Sequence, residues 1–292
     1  MRGRMVAAAA LLLVAACSPT SHSGSPASST TATTATAARG RLPVPEHVLV
    51  VVFENEDAGS VVGAPEAPYL TSLAAAGATF TDAHGITHPS QPNYVALFAG
   101  STLGIVDDSC PHSFDASNLA GQLLDAGRTF VGYSEDLPAA GDTTCRAGRY
   151  ARKHNPWVDF PALPAEVNQP ASALPTDFAE LPTVAFLVPN LCDDMHDCGV
   201  PAGDAWAKAH LPAYVDWART HDSLLIVTFD EDEGSRANLI PTFLVGPMVT
   251  PGPAAQRIDH YSVLRTLEDM YGLPPLGEAA SRQPITGIWT GS

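Results

Sequence analysis

Residues 48–57 read VLVVVFENED. The run Val48–Phe53 is continuous and apolar, rich in β-branched side chains and too short for a core helix. It predicts a strand buried on both faces. The strand stops abruptly in Glu54-Asn55-Glu56-Asp57. The same figure recurs downstream. Thr183–Val188 (TVAFLV) runs into PNLCDDMHDC at 189–198, and Ser223–Phe229 (SLLIVTF) runs into DEDEG at 230–234. Thr129–Tyr133 and Thr242–Val245 read as further strands. Helices are expected over Ala67–Ala76, Leu119–Ala126, Asp204–Thr220 and His260–Tyr271, with Gly77 and Gly127 as stops after the first two. Asp204 is expected to be the N-cap of its helix. Strands alternating with helices predict an α/β domain with a mainly parallel sheet flanked by helices. Ligands of such folds bind beyond the carboxyl ends of the strands. Here three strands end in residues suited to metal or acid/base chemistry.

A second stretch, HGITHPSQPNYVALFAG at 84–100, runs from a tight polar loop into a helix. Pro89 and Pro92 restrict the backbone on either side of Ser90. Pro92 is tolerated in the first turn, and Gly100 marks the stop. Ser90 is therefore expected at or near the N-cap, with its hydroxyl at the end of the helix that favours anions.

The 292 residues, 45% of them apolar, suffice for one large domain. Residues 1–17 read as an export signal, with Arg2 and Arg4 before an apolar run. Val14-Ala15-Ala16-Cys17 is similar to a lipobox, which would make Cys17 a lipidation site. Residues 18–44 are mostly Ser, Thr, Ala, Pro and Gly and read as a tether unable to bury a core. The domain proper is assigned to 45–292. These features place the chain outside the cytoplasm, as a lipoprotein on the outer face of the cell membrane or as a secreted protein. A net charge of −16 argues against nucleic acid as a partner. Besides Cys17 there are four cysteines. Their even number in an exported chain suggests two disulfides, with Cys110–Cys145 and Cys192–Cys198 the favoured pairing of three.

The chemistry-bearing residues form a consistent set. Glu54, Asn55, Asp230 and Glu231, with the oxygen of Ser90, supply oxygen ligands suited to Mg²⁺, Mn²⁺ or Ca²⁺. A cation beside Ser90 would activate its hydroxyl as a nucleophile. His84, His88, His154, His196 and His260 offer nitrogen ligands or proton-transfer groups, with His84 and His88 open between lining the site and packing the loop. Asn93, one turn on from Ser90, could hold phosphate oxygens.

These segments resemble the bacterial phosphoesterases that include phospholipases C and secreted acid phosphatases, within the alkaline phosphatase superfamily. The landmarks are FEN, HPSQPNY, KHNPW, PNLCDDMHDC, GDAW, TFDEDEG, IPTFLVGP and DHYSVLRTLEDMYGLP, in that order from Val48 to Pro274. The likeness is greatest to compact acid phosphatases, including enzymes acting on phosphatidylinositol 3-phosphate. It implies an alkaline phosphatase-like fold and hydrolysis of phosphate monoesters through a phosphoserine at Ser90. Glu54, Asn55, Ser90, Asp230 and Glu231 would hold a metal. Asn93, Lys153, His154 and Asn155 would surround the phosphate. His196 and His260 would act as general acid, or as ligands of a second ion with Asp194. Two-zinc relatives carry an Asp-His pair where this chain has Asp230-Glu231, which favours one hard ion over zinc. Two alternatives share the same residues: a phosphodiesterase of phospholipase C type, and a surface lipoprotein that binds a phosphorylated ligand without turnover. Oligomeric state is not legible in the chain.

Overall fold

The strand expected at residue 48 forms as β1, His47–Phe53, buried at every residue after His47. A computed structural model describes residues 42–290; the expected signal and lipidation site, and the tether up to residue 41, lie outside the described residues. The remaining strands are β2 Ala78–Phe80, β3 Ala83–His84, β4 Phe130–Ser134, β5 Arg146–Ala147, β6 Tyr150–Ala151, β7 Asn168–Pro170, β8 Val184–Val188, β9 Ser223–Phe229, β10 Thr242–Val245, β11 Gly252–Ala254 and β12 Ile258–Asp259. The helices are α1 Ala58–Val61, α2 Pro68–Ala75, α3 Ser90–Ala99, α4 Leu119–Asp125, α5 Val200–His210, α6 Pro212–Ala218 and α7 His260–Tyr271.

Eight strands make one sheet in the order β11-β2-β10-β9-β1-β8-β4-β7. The three strands that end in acidic clusters are adjacent at its centre. β1 pairs in parallel with β8 on one side and with β9 on the other, with Val50 opposite both Phe186 and Ile226. β4 and β7 continue the parallel part. The exception is β10, antiparallel to both β9 and β2. The helices pack in two groups, α2 with α5 and α6, and α3 with α4 and α7.

Two expectations about helices are corrected. The helix expected over 204–220 begins at Val200 after Gly199, and is two helices meeting at Leu211. Pro212 supplies the break, because it has no N–H to continue the ladder. Asp204 is therefore inside α5 and caps a different helix. Its two oxygens accept from the backbone N–H of Tyr69 (3.2 Å) and Leu70 (2.7 Å), in the first turn of α2. We predict that Asp204→Ala lowers stability by about 1–2 kcal/mol, the usual cost of a lost cap. Urea denaturation measures it, and a midpoint equal to that of the unmodified chain would show that the α2 end is satisfied otherwise.

Both favoured disulfides are present, Cys110–Cys145 and Cys192–Cys198. They tie down two loops that border the carboxyl edge of the parallel strands.

Candidate active site

The carboxyl edge of β1, β8 and β9 gathers the acidic ends of all three strands. The Glu54 N–H donates to the Asp194 carbonyl at 2.9 Å, and the Asp230 N–H to the Phe53 carbonyl at 3.0 Å. Asn55 takes the left-handed conformation (φ 49°), which asparagine tolerates better than most residues. Its N–H donates to Asp230 Oδ1 at 3.0 Å.

α3 aims Ser90 at this edge. Ser90 is the first residue of the helix, and Pro89, in extended conformation, occupies the cap position. Ser90 thus lies next to the cap position, as expected, and its hydroxyl caps no backbone N–H but donates to Glu54 Oε2 at 2.9 Å. Asn55 Oδ1 lies 3.5 Å away and Glu231 Oε1 3.4 Å away. The loop before Ser90 is fixed by Asn93. Its amide oxygen accepts from Ile86 N–H and Thr87 N–H, and its amide nitrogen donates to the Thr87 and Pro89 carbonyls. That is a full complement for an amide, so in this arrangement Asn93 shapes the loop and has no donor left over.

Lys153 and His154 lie on a short 3₁₀ turn, Arg152–His154. The turn is held from below. Buried Arg152 donates through Nε (3.1 Å) and Nη2 (2.9 Å) to Asp159 Oδ1. Trp157 packs flat on β4, where a side chain at Gly132 would meet its ring at 2.1 Å. Asn155 belongs to this support: its amide donates to Tyr150 Oη and Asn168 Oδ1. His154 is buried, 3.1 Å from Asp194 Oδ2 and 3.2 Å from Glu54 Oε1. His196 stands at the rim, with Asp197 at 2.7 Å on one ring nitrogen and Lys153 Nζ at 3.2 Å on the other. His260, the first residue of α7, puts Nε2 2.6 Å from the Asp230 carbonyl and thereby pins the end of β9.

Tyr94 and Asp108 escaped sequence reasoning, and His88, one of the histidines it noted, lines the site with them. Tyr94 lies four positions after Ser90, on the same helix face, and bonds Glu54 Oε1 while stacking on His154 at 5.0 Å. That spacing was a usable signal. His88 bonds Glu231 through Nδ1 and lies close to Asp232. Asp108, from a loop without any motif, accepts from Lys153 Nζ at 2.9 Å and from the Gln91 N–H at 3.0 Å.

The electrostatics follow from burying so many acids together. Glu54 is raised well above its ordinary value by burial and by the charges of Asp230 and Asp194. Asp230 is raised likewise by burial and by Glu231, and burial pushes Asp194 up to about 8. Burial holds His154 well below its usual range, helped by the nearby Lys153 and His196. Burial also opposes the charge of Lys153, but the bond to Asp108 and the charges of Glu54, Asp108 and Asp230 outweigh it and raise its pKa.

The donor set fits a cation. The oxygens of Glu54, Asn55 and Glu231 crowd Ser90 Oγ, and Asp230 Oδ2 is buried without a hydrogen-bond partner. An all-oxygen set of this kind suits a hard divalent ion. A mixed set adjoins it: single ligand atoms of Glu54, His154 and Asp194 lie within 4.8 Å of one another, and all three residues are buried. The expectation paired Asp194 with His196 or His260; the structure pairs it with His154.

A serine at a helix N-terminus set against a carboxylate cluster, at the carboxyl edge of a mainly parallel sheet, is an arrangement suited to phosphoester hydrolysis. The chain belongs to the phosphoesterase family, which it matches over residues 60–274. It is 50% identical over 255 residues to the phosphatidylinositol-3-phosphatase of Mycobacterium tuberculosis, covering 86% of this chain and 85% of that one. It is 33% identical to the phosphate-repressible acid phosphatase of Penicillium chrysogenum, over 71% of this chain and 55% of the relative. The chain thus spans about half the length of its fungal relatives and most of the mycobacterial one. A protein in the alkaline phosphatase superfamily from Vibrio parahaemolyticus superposes with a TM-score of 0.56 at 15% identity, covering 84% of this chain and 72% of that one. The phosphonate monoester hydrolase of Silicibacter pomeroyi gives 0.56 at 13% identity, covering 82% and 76%. At such identities the likeness is one of fold. Family and relatives together make the chain a hydrolase acting on phosphoric esters.

Proposed function

We propose that this chain is an exported acid phosphatase that hydrolyses phosphate monoesters through a phosphoserine at Ser90, with phosphatidylinositol 3-phosphate among its substrates. The observation that carries the reading is Ser90 Oγ itself. It is buried at the start of a ten-residue helix and donates to Glu54 at 2.9 Å. Phosphatidylinositol 3-phosphate enters through the 50% identity to the mycobacterial enzyme of that name. Export rests on residues 1–17 and on the two disulfides, which persist in oxidising surroundings. Anchoring at the outer membrane face rests on Cys17 alone.

In this mechanism Glu54 Oε2 accepts the Ser90 proton as Oγ attacks phosphorus in line. The Gln91 N–H and Lys153 Nζ hold non-bridging oxygens, and developing charge is stabilised at the positive end of α3. His196, at the exposed rim, protonates the leaving alkoxide and then directs the water that hydrolyses the phosphoserine. Glu54, Asn55, Ser90, Asp230 and Glu231 would hold one hard divalent ion, Mg²⁺, Mn²⁺ or Ca²⁺. Such an ion supplies Lewis-acid charge at the nucleophile and phosphoryl oxygens.

The test uses p-nitrophenyl phosphate and its bis-ester side by side, across pH and divalent ions. The expected result is monoester cleavage at least ~10²-fold faster than bis-ester cleavage, lost in chelator, the magnitude being that of a specificity set by charged contacts to the phosphate. Preference for the bis-ester would move the protein to the phospholipase C side. Silence on both would favour a phospho-ligand-binding lipoprotein.

A further inference from the structure

The groups around Ser90 Oγ are mostly acceptors: Glu54, Asn55 Oδ1 and Glu231. Donors suited to a phosphate lie on the other side of the nucleophile, at the N–H of Gln91 and at Nζ of Lys153. Both are already engaged by one carboxylate. Asp108 Oδ1 accepts from Gln91 at 3.0 Å and Oδ2 accepts from Lys153 at 2.9 Å. A carboxylate bridging a helix N-terminus and an ammonium has the charge and the spread of contacts of a bound phosphate. A phosphate dianion brought to the same donors would meet Asp108 as a like charge at contact distance.

The chain that carries Asp108 is built so that it can withdraw. Ile105 is a buried anchor on one side, and Cys110 is tied to Cys145 on the other. Among the described residues, no backbone–backbone hydrogen bond holds residues 106–109. Val106 is 78% exposed, and Asp107 and Ser109 are exposed as well. Asp108, partly buried, is thus the inward contact of an otherwise solvated tip.

We propose that Asp108 is a built-in occupant of the phosphate cradle, so that substrate and product phosphate bind by displacing its carboxylate. The proposal rests on the reading of Ser90 as the nucleophile and names a specificity-determining residue for that site. It makes the cradle weak for free inorganic phosphate. A phosphorylated substrate has contacts beyond the phosphate to offset the displacement, and the product phosphate has none. Product release is thereby favoured.

The test is calorimetric binding of inorganic phosphate to the full chain, in one divalent-ion buffer, for the unmodified protein, Asp108→Asn and Asp107→Asn. Asparagine keeps the shape of Asp108 and removes its charge. Asp107→Asn controls for loss of a nearby surface charge. If Asp108 holds the donors about nine-tenths of the time, Asp108→Asn binds phosphate about tenfold more tightly. The competitive inhibition constant of phosphate against p-nitrophenyl phosphate should fall by the same factor, and Asp107→Asn should leave both unchanged. Equal or weaker binding in Asp108→Asn, with an unaltered melting temperature, would overturn the proposal and make Asp108 a residue that orients Lys153 toward substrate. An equal gain in Asp107→Asn would overturn it in favour of general charge. The phosphatase reading is judged separately, by turnover of the unmodified chain. Turnover with no phosphate effect in Asp108→Asn sinks only the occupant.

Discussion

Ser90→Ala is expected to remove phosphatase activity, lowering kcat by on the order of 10⁴-fold or more, the scale on which loss of a nucleophile acts elsewhere. The loss should fall on kcat, because the phosphate contacts assigned to Gln91 N–H and Lys153 do not use the serine side chain. The fold should survive, since neither α3 nor its preceding loop depends on the hydroxyl. Asn93 holds the loop and Pro89 takes the cap position. The measurement is the initial rate on p-nitrophenyl phosphate, together with acid-quenched peptide mapping during turnover. A phosphorylated Ser90 peptide should accumulate in the unmodified chain and be missing from the variant. Activity within tenfold of normal in Ser90→Ala would sink the assignment.

The second large effect concerns stability without a bound cation. Asp194 is pushed up to about 8, and Glu54 and Asp230 are raised as well, all first by burial. A carboxyl whose folded pKa exceeds its unfolded one binds more protons in the folded state. Its contribution to stability is complete below the unfolded value near 4 and is lost as pH rises through the folded value. In chelator the melting temperature should therefore fall from pH 5 to pH 8.5, by on the order of 5–10 °C. A divalent ion that takes the place of those protons should restore it and flatten the slope, and metal affinity should rise with pH because binding releases protons. The net charge of −16 gives a drop of the same sign through self-repulsion. Asp194→Asn separates the two, because it should reduce the slope while barely changing the net charge. A melting temperature that is flat or rising with pH in chelator would contradict the buried-acid account.

The central strands were legible because burial on both faces demands an unbroken apolar run, and β1, β8 and β9 are the three clearest in the chain. Helix ends were less so. Asp204 carries every local sign of an N-cap, yet the preceding Gly199 starts α5 and Asp204 serves α2, distant in sequence. Pro212 was visible as a breaker, but the apolar spacing of Tyr214 and Trp217 disguised the break. The pairing of cysteines followed from proximity in sequence for Cys192–Cys198 and was then the one complement for the others.

For the site, the sequence by itself determined which residues carry chemistry. Acidic clusters at strand ends and a serine between two prolines are local patterns, set by where a buried strand must stop and where a helix can begin. Only the tertiary structure decided which of them touch. Strand order brings Glu54 and Asp230 side by side, and packing of the 152–154 turn delivers His154 to Glu54 and Asp194. Asn93 and Asn155, alike in composition to phosphate ligands, have their amide donors engaged within the protein. Asp108, with no local signature, reaches the Gln91 N–H in the first turn of α3. The physical reason is range: backbone preferences and burial act over a few neighbouring residues, whereas hydrogen bonds and charge pairs in a site join residues that only the folded sheet makes neighbours.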